Sequence, residues 1–307
     1  MLIGLPKEIK DNESRVGLTP ESVKKLISQG HEVLVETDAG FGSGFSDGDY
    51  IHFGARILKK PKEVFENAEL IIKVKEPQSA EVNLLKPDQL LFTYLHLAAN
   101  KNLTQGLMDS QSTCIAYETV TSSSNSLPLL APMSEVAGKI SIQAGARALE
   151  KTQHGRGVLM SGAYGAPPAD VVIIGCGVVG FNAALIAVGM KANVILIDKS
   201  EPRLSELYKF FEGKVTTVVS SKSEVEKYVS NCDLLIGGVL VPGSSAPKLV
   251  SKKLVSKMRK GSAIVDVAID QGGCIETSKP TTHSEPTYIY KDVVHYCVTN
   301  MPGCVPR

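Results

Sequence analysis

The 307-residue sequence lacks features that would mark several classes of protein. Its 33 lysines and arginines nearly balance its 32 aspartates and glutamates, and no run of basic residues is present. That balance argues against a nucleic-acid partner and against a membrane-binding surface. None of its six cysteines belongs to a CxxC pair, so we expect buried free thiols in a reducing cytoplasm rather than a disulfide framework or a zinc site.

The N-terminal stretch MLIGLPKEIK is not typical of a secretion signal, because its apolar part is short and charges follow at once. One later stretch, residues 171–190, contains no charge and matches the length of a membrane span. Glycines at 175, 177, 180 and 189 interrupt this stretch. They favour a strand, a turn and a helix in a buried α/β core, and membrane insertion is the weaker alternative.

Short apolar runs alternate with helical patterns along the chain. Strand-like runs occupy residues 2–5, 32–36, 70–74, 90–95, 113–117, 171–174, 193–197, 215–219, 233–236, 263–267 and 293–298. Helical patterns occupy residues 20–29, 100–109, 133–151 and 178–189. Strands that alternate with helices predict an α/β fold with largely parallel sheets flanked by helices.

A glycine motif connects the strand and the helix predicted at 171–190. Gly175, Gly177 and Gly180 form the pattern GxGxxG, and Asp198 follows the next predicted strand. In a dinucleotide site the first glycine allows a tight turn, the second admits the pyrophosphate, and the third lets the helix pack on the strand. Asp198 would bond the ribose hydroxyls and repel a 2′-phosphate, so the motif predicts NAD rather than NADP. A glycine-rich turn in an unrelated α/β fold is the alternative.

A polar segment divides the sequence into two parts. Residues 121–125, TSSSN, are followed by Pro128 and Pro132, a composition typical of a linker. At about 100–200 residues per domain, the length also suggests two domains. We therefore expect two Rossmann-like domains joined by a long helix, with a substrate domain over residues 1–129 and an NAD-binding domain over residues 130–307.

Three residues of the first part have side chains suited to a small acid substrate. Arg15 follows the first predicted strand, while Lys75 and His96 follow two later ones. An arginine fork matches a carboxylate, a lysine can donate to a carbonyl or imine, and a histidine moves protons near neutral pH. Because ligands bind beyond the carboxyl ends of parallel strands, the three side chains can converge. Taken singly, each is more typical of a solvated or structural residue.

One acidic residue of the second part has a similar placement. Asp270 lies just after the strand predicted at 263–267, in the stretch AIDQGG. An acid followed closely by two glycines at the carboxyl end of a strand is a candidate site residue, because function concentrates in such loops.

Several long stretches resemble the alanine dehydrogenase/pyridine nucleotide transhydrogenase family over essentially the whole chain. They read PKE, ESRVGLTPE, LIIKVKEP, LFTYLHLAA, LPLLAPMSEVAG, IVDVAIDQGG, KPTTH and HYCVTNMPG. The resemblance implies reversible oxidative deamination of L-alanine to pyruvate and ammonia with NAD as the cofactor. It also implies a homo-oligomer, in particular a hexamer.

The resemblance assigns roles residue by residue. Arg15 would bind the carboxylate and Lys75 the carbonyl oxygen. His96 would act as general acid/base, and Asp270 would assist the imine and carbinolamine steps. The cofactor would contact Ser134, Gly175, Gly177, Val178, Val179, Gly180, Asp198, Arg203, Ser220, Val239, Leu240, Val267, Ala268, Ile269, Val298, Asn300 and Met301. By position alone Arg203 is more typical of a surface residue.

The sequence stops at Arg307, whereas family members continue in a largely helical tail that returns to the first domain. We therefore expect the first domain to lack its C-terminal completion. A magnesium site of some relatives would use Glu118 and a residue of that tail, so no metal is predicted.

Other functions stay open: an NAD-binding subunit of a proton-translocating transhydrogenase, a catalytically impaired NAD-binding protein, and a reductase for another amino acid or imine. The stretch FTYLHLAA with His96 is expected for a dehydrogenase and not for a transhydrogenase, and therefore favours the enzyme.

Overall fold

The computed structural model describes residues 1–239 and 245–307, which form two compact units. The first unit comprises Met1–Leu130 with Gly303–Arg307, and the second comprises Ala131–Pro302. The last five residues therefore group with the first unit, although the sequence places them in the second domain. Within the first unit, the Arg307 guanidinium donates to the carbonyl of Ser43 over 2.8 Å.

The first unit is built on a parallel six-stranded sheet flanked by helices. Its strands are β1 (Leu2–Leu5), β2 (Glu32–Glu36), β3 (Arg56–Leu58), β4 (Leu70–Ile72), β5 (Leu90–Thr93) and β6 (Thr113–Ala116). Its helices are α1 (Pro20–Ser28), α2 (Asp47–His52), α3 (Pro61–Asn67), α4 (Ser79–Val82) and α5 (Lys101–Ser110). The order β3-β2-β1-β4-β5-β6 reverses between β1 and β4. Doubly wound sheets bind ligands at such a switch point.

The second unit has a seven-stranded sheet among its described residues. Its strands are β7 (Asp170–Ile174), β8 (Asn193–Asp198), β9 (Val215–Val219), β10 (Leu234–Gly237), β11 (Ala263–Asp266), β12 (Thr287–Tyr290) and β13 (Val293–Tyr296). Its helices are α6 (Ala131–Ala148), α7 (Val178–Gly189), α8 (Glu201–Phe210), α9 (Lys222–Asn231) and α10 (Lys252–Val255). The order is β12-β13-β11-β10-β7-β8-β9, and among these described strands only the pair β12–β13 is antiparallel. Its switch point lies between β7 and β10.

Local sequence explains the start of the first helix. Thr19 caps α1 by accepting a hydrogen bond of 3.2 Å from the backbone N–H of Ser22, and Pro20 occupies the first turn. The proline fits there because the first-turn N–H groups have no partner within the helix. The helix predicted from residue 20 is confirmed.

The uncharged stretch at 171–190 is β7, the glycine turn and α7. Val171, Val172 and Ile173 are fully buried, as expected for a central parallel strand covered on both faces. Helix α7 packs closely on α6, since a Cβ at Gly138 would lie 2.3 Å from the Val179 carbonyl oxygen. Within residues 1–239 and 245–307, no helix is long and apolar enough to cross a membrane.

The α/β fold with parallel sheets flanked by helices is confirmed, and the differences in the sheets lie at strand ends and in two further strands. The runs predicted at 70–74, 90–95 and 293–298 end earlier, at Ile72, Thr93 and Tyr296. Lys73 and Tyr94 still donate to backbone carbonyls between these two strands, and beyond them the N–H groups of Val74 and His96 donate to the carboxylates of Glu8 and Glu118. Strands β3 and β12 were not predicted from the sequence.

Candidate functional site

The first unit presents Arg15 in the loop between β1 and α1. Its guanidinium is buried and makes a two-pronged ion pair with Glu13, with Nε 2.8 Å from Oε1 and Nη2 2.6 Å from Oε2. This pairing fixes the plane of the guanidinium. Because a guanidinium carries five N–H donors in one plane, an arginine can bind two carboxylates at once.

Lys75 lies three residues beyond β4, and its side chain is buried. Its ammonium nitrogen is 3.4 Å from Oε2 of Glu76, whose other carboxylate oxygen pairs with Lys10. Burial alone would raise the pKa of Glu76, but Lys75 and Lys10 overcome that effect and hold the pKa below its usual value. The Lys75 ammonium therefore lies beside a carboxylate within its own loop.

His96 lies three residues beyond β5 in a left-handed backbone conformation, with φ of +50°. Its backbone N–H donates to Glu118 over 2.6 Å, and its ring stacks on Tyr94 at a centroid distance of 6.0 Å. The Tyr94 hydroxyl donates to the Leu129 carbonyl. Burial raises the pKa of Tyr94 to about 12, so the phenol stays neutral beside the imidazole.

These three residues follow neighbouring strands, because β1, β4 and β5 are adjacent in the sheet. The loop of Arg15 packs on the end of β4, since a Cβ at Gly17 would lie 3.0 Å from Cγ2 of Ile72. Arg15 is also close enough to Tyr94 to influence its pKa. One edge of the first sheet thus carries a guanidinium, an ammonium and an imidazole at the switch point.

The glycine loop of the second unit has the geometry of a pyrophosphate cradle. Gly175 has φ of +90°, and a Cβ at Gly180 would lie 1.9 Å from the Gly175 carbonyl oxygen, so neither position accepts a side chain without strain. A Cβ at Gly177 would meet nothing within 4 Å. The loop therefore leaves open space at the N-terminus of α7, where backbone N–H groups favour an anion. These residues fit a dinucleotide.

Asp198 and Arg203 hold the peptide groups of Cys176 inside that loop. The Asp198 carboxylate accepts from the Cys176 N–H over 2.7 Å, and Nε of Arg203 donates to the Cys176 carbonyl over 3.0 Å. Arg203 also pairs with Glu206 at 2.8 Å. Burial raises the pKa of Cys176 to about 12, so its thiol stays protonated. A carboxylate has about four lone-pair sites, which leaves Asp198 capacity for ribose hydroxyls.

The loop after β10 lies beside the glycine turn, and the loop after β11 follows the strand that pairs with β10. A Cβ at Gly175 would lie 2.8 Å from Cγ2 of Val239. The fully buried Asp266 organises the loop after β11, accepting from the N–H groups of Ala268, Cys274 and Ile275 at 3.2–3.3 Å. That loop carries Val267, Ala268, Ile269 and Asp270.

Asp270 also contacts the C-terminal loop of the second unit. Its Oδ1 accepts a hydrogen bond of 3.2 Å from the backbone N–H of Asn300, which is buried with φ of +62°. Val298 and Met301 are buried in the same loop. The resemblance proposed the residues of this loop, whereas position alone did not distinguish them.

The remaining residues of the predicted cofactor site lie in three places. Ser134 is buried in α6, and Ser220 follows β9, where its N–H donates to the Asp198 carbonyl over 2.8 Å. Leu240 lies outside the described residues. No group of three or more metal-ligating side chains occurs within the described parts of the chain.

The residues that support this site were harder to predict. Glu8, Glu13 and Asp266 are buried acids whose partners lie in other loops or in their own turn. Lys73 interrupts the apolar run LIIKVKEP, and a lysine in such a run needs a buried partner. That requirement is the one clue the sequence offered.

Fold and site define a dinucleotide-binding α/β protein whose first unit has a cation-rich sheet edge. Residues 4–137 match the family described as Alanine dehydrogenase/PNT, N-terminal domain, and residues 141–307 match Alanine dehydrogenase/PNT, C-terminal domain. The chain belongs to the alanine dehydrogenase/PNT family, and the resemblance stated from the sequence is confirmed.

Similar proteins include the alanine dehydrogenase of Halomonas elongata, which is 55% identical over all of this chain and 83% of its own length. A solved structure of an L-alanine dehydrogenase matches with a TM-score of 0.93 and 54% identity, covering 100% of this chain and 84% of that one. A transhydrogenase from Sinorhizobium meliloti matches with a TM-score of 0.85 but 23% identity, over 100% and 88% of the two chains, and shows the shared fold alone.

Proposed function

We propose that this protein is an NAD-dependent oxidoreductase that converts L-alanine reversibly to pyruvate and ammonia. The observation that carries the proposal is the placement of Arg15, Lys75 and His96 beyond three neighbouring strands in a family whose alanine dehydrogenases are 51–55% identical to this chain. These side chains match the carboxylate, the carbonyl oxygen and the proton transfers of that reaction.

Arg15 binds the substrate carboxylate in this proposal. Glu13 fixes the plane of the guanidinium, so its orientation is set before the substrate binds. Lys75 donates to the carbonyl oxygen of pyruvate in the reverse direction, and the Glu76 carboxylate lies 3.4 Å from its ammonium. A charged donor stabilises the oxygen as negative charge develops there.

His96 moves the protons in this proposal. The chemistry supplied by bound NAD is acceptance of the hydride that leaves Cα of alanine. His96 then takes a proton from the water that adds to the substrate imine, and it returns a proton as ammonia departs. Asp270 assists the imine and carbinolamine steps. Orientation by these side chains supplies much of the rate.

In this proposal the glycine motif of residues 175–180 and Asp198 recognise the cofactor. Gly177 leaves room for the pyrophosphate, and Asp198 bonds the ribose and disfavours a 2′-phosphate. Contacts from Arg203 and from the residues after β9, β10, β11 and β13 complete the proposed site. A homo-oligomer, in particular a hexamer, is part of the proposal on the resemblance, and a cytoplasmic location is part of it on the cysteine pattern. Sedimentation velocity tests the oligomer.

The test is alanine-dependent reduction of NAD by the purified chain at mildly alkaline pH. We expect NADH, pyruvate and ammonia in equal amounts, and slower turnover with L-serine and L-valine. Faster turnover with L-serine or L-valine would mean that the preferred substrate is that amino acid and not L-alanine. No NADH with any of them, although the chain still binds NAD, would favour an NAD-binding protein without this activity. The transhydrogenase alternative predicts that outcome too.

A further inference from the structure

A buried ionic network lies at the carboxyl edge of β1 and β4, at the start of the loop that carries Lys75. Nζ of Lys73 lies 2.9 Å from Oε2 of Glu8 and 2.7 Å from Oε1 of Glu81. The three side chains are 0%, 3% and 4% exposed. Because desolvation opposes the burial of charges, such a network is weak evidence for stability and calls for another role.

Glu8 connects this network to the backbone of the candidate site. Its second oxygen, Oε1, accepts from the N–H of Val74 over 2.6 Å and from the N–H of Lys75 over 3.4 Å. On the other side of the residue, the buried hydroxyl of Thr93 donates to the Lys75 carbonyl over 2.9 Å. The peptide groups that flank Lys75 are thus held from both sides by side chains of neighbouring strands and loops.

The charges of the network explain why Glu8 stays in place. Burial raises the pKa of Glu8, although Lys73 opposes this effect. Burial alone would lower the pKa of Lys73, but Glu8 and Glu81 overcome it and raise that pKa above its usual value. Lys73 therefore remains charged and holds Glu8. Glu81 is fixed in turn, because its carboxylate caps α4 through the N–H of Gln78 over 2.8 Å.

We propose that Glu8 and Thr93 are positioning residues that fix the backbone of Lys75, so that its ammonium meets the carbonyl oxygen of the substrate, and that Lys73 and Glu81 hold Glu8 for this purpose. The inference rests on the proposed function, since it uses the role given to Lys75. A misplacement of about 1 Å can lower a rate by about 100-fold, so loss of Glu8 impairs the carbonyl substrate rather than the cofactor.

Two variants of Glu8 distinguish the contribution of its hydrogen-bond acceptor from the contribution of its side-chain volume. Glu8→Gln keeps an oxygen that accepts from the backbone, and Glu8→Leu removes it. Gln89→Leu is the matched control, because the buried Gln89 donates to the carbonyls of Phe65 and Ala68, both over 2.8 Å. Like Glu8→Leu, the control variant Gln89→Leu loses buried side-chain hydrogen bonds in the first unit, but at the opposite end of β5.

We expect kcat/KM for pyruvate to fall about 100-fold in Glu8→Leu, while KM for NADH stays within about twofold. Glu8→Gln should recover most of that loss, and Gln89→Leu should stay within about threefold of the parent. A folded Glu8→Leu with the kcat/KM of Gln89→Leu would overturn the proposal. So would a Glu8→Gln variant that is as impaired as Glu8→Leu.

If Glu8→Leu does not fold, Thr93→Val carries the test, with an expected loss of about tenfold in kcat/KM for pyruvate. Parent-like kinetics of Thr93→Val would overturn the proposal.

Crystal structures of the parent and the folded variants give a readout that needs no activity: Nζ of Lys75 should move by about 1 Å or more. An unmoved Lys75 overturns the positioning role, whereas a parent that binds NAD without oxidising alanine overturns the proposed function alone.

Discussion

The carboxylate of Glu118 accepts a hydrogen bond of 2.6 Å from the backbone N–H of His96. It accepts a second one, of 3.2 Å, from the N–H of Leu95. His96 has φ of +50°, an uncommon conformation for a residue with a side chain, which persists only where its surroundings enforce it. Glu118 therefore stabilises the turn that presents the imidazole.

Glu118→Ala should lower kcat/KM for pyruvate by about tenfold or more, because hydrogen bonds to a charged group contribute about 1.5–3 kcal/mol. Glu118→Gln keeps a neutral acceptor and should lose less. Steady-state kinetics with pyruvate as the varied substrate measure both, and KM for NADH serves as the control. Parent-like activity of Glu118→Ala would show that the turn holds without this carboxylate.

Asp198 has two roles that substitution can separate. Asp198→Asn removes the charge but keeps an oxygen for the N–H of Cys176, whereas Asp198→Ala removes both. We expect Asp198→Asn to bind NADPH at least about tenfold more tightly than the parent, because the repulsion of the 2′-phosphate is gone. Asp198→Ala should also bind NADH more weakly, since the glycine loop loses an anchor. Fluorescence titration with both cofactors decides the matter, and unchanged NADPH affinity in both variants would remove Asp198 from cofactor selection.

The glycine loop gives a matched pair of substitutions. Gly177→Ala places its methyl group in open space, so the melting temperature should stay within about 2 °C of the parent while the Kd for NAD rises about tenfold. Gly180→Ala drives a methyl group against the Gly175 carbonyl oxygen at 1.9 Å and should lower the stability itself, by about 1–3 kcal/mol. Calorimetry and NAD titration test the pair. Equal NAD affinity of Gly177→Ala and the parent would mean that the pyrophosphate does not bind against Gly177.

His295 gives the second unit a pH-dependent stability. It is fully buried; Nδ1 lies 3.0 Å from the Val293 carbonyl and therefore donates, and Nε2 lies 2.8 Å from the Thr277 hydroxyl. Burial lowers the pKa of this imidazole in the folded state below its ordinary value of 6.5. Below that pH the unfolded chain gains a proton that the folded chain does not, so the free energy of unfolding falls by up to about 1.4 kcal/mol per pH unit.

The check is thermal unfolding at about pH 7.5 and about pH 5.5, for the parent and for His295→Gln, which retains a donor and an acceptor. The melting temperature of the parent should fall further on acidification than that of the variant. An identical fall in both would mean that other groups cause the acid sensitivity.

Much of the fold followed from the sequence because apolar runs and capping residues are local features. Leu2–Leu5, Glu32–Glu36 and Val178–Gly189 were predicted with the bounds that the structure has. Strands β3 and β12 were missed; none of their residues is buried, and β3 has only three residues. The ends of β4 and β5 were predicted too late because the apolar Val74 and Leu95 follow them, although the backbone N–H groups of these two residues donate to the carboxylates of Glu8 and Glu118.

The candidate site was predictable where a residue type follows a strand end, as for Arg15, Lys75 and His96. The residues that hold them in place were not. Glu8 and Glu118 bind backbone N–H groups that are 66 and 22 positions away in the sequence. A local sequence pattern does not reveal partners at such separations. The loop of Asn300 became recognisable through the family resemblance alone, because its placement beside Asp270 depends on the pairing of β11 with β13.

The most direct test of the proposed reaction uses L-alanine labelled with deuterium at Cα, incubated with NAD and the purified chain. If hydride passes from alanine Cα to the nicotinamide ring, the NADH formed carries the deuterium at C4, with pyruvate and ammonia in equal amounts. Reduced cofactor without the label, or no reduction by a chain that still binds NAD, would contradict this account.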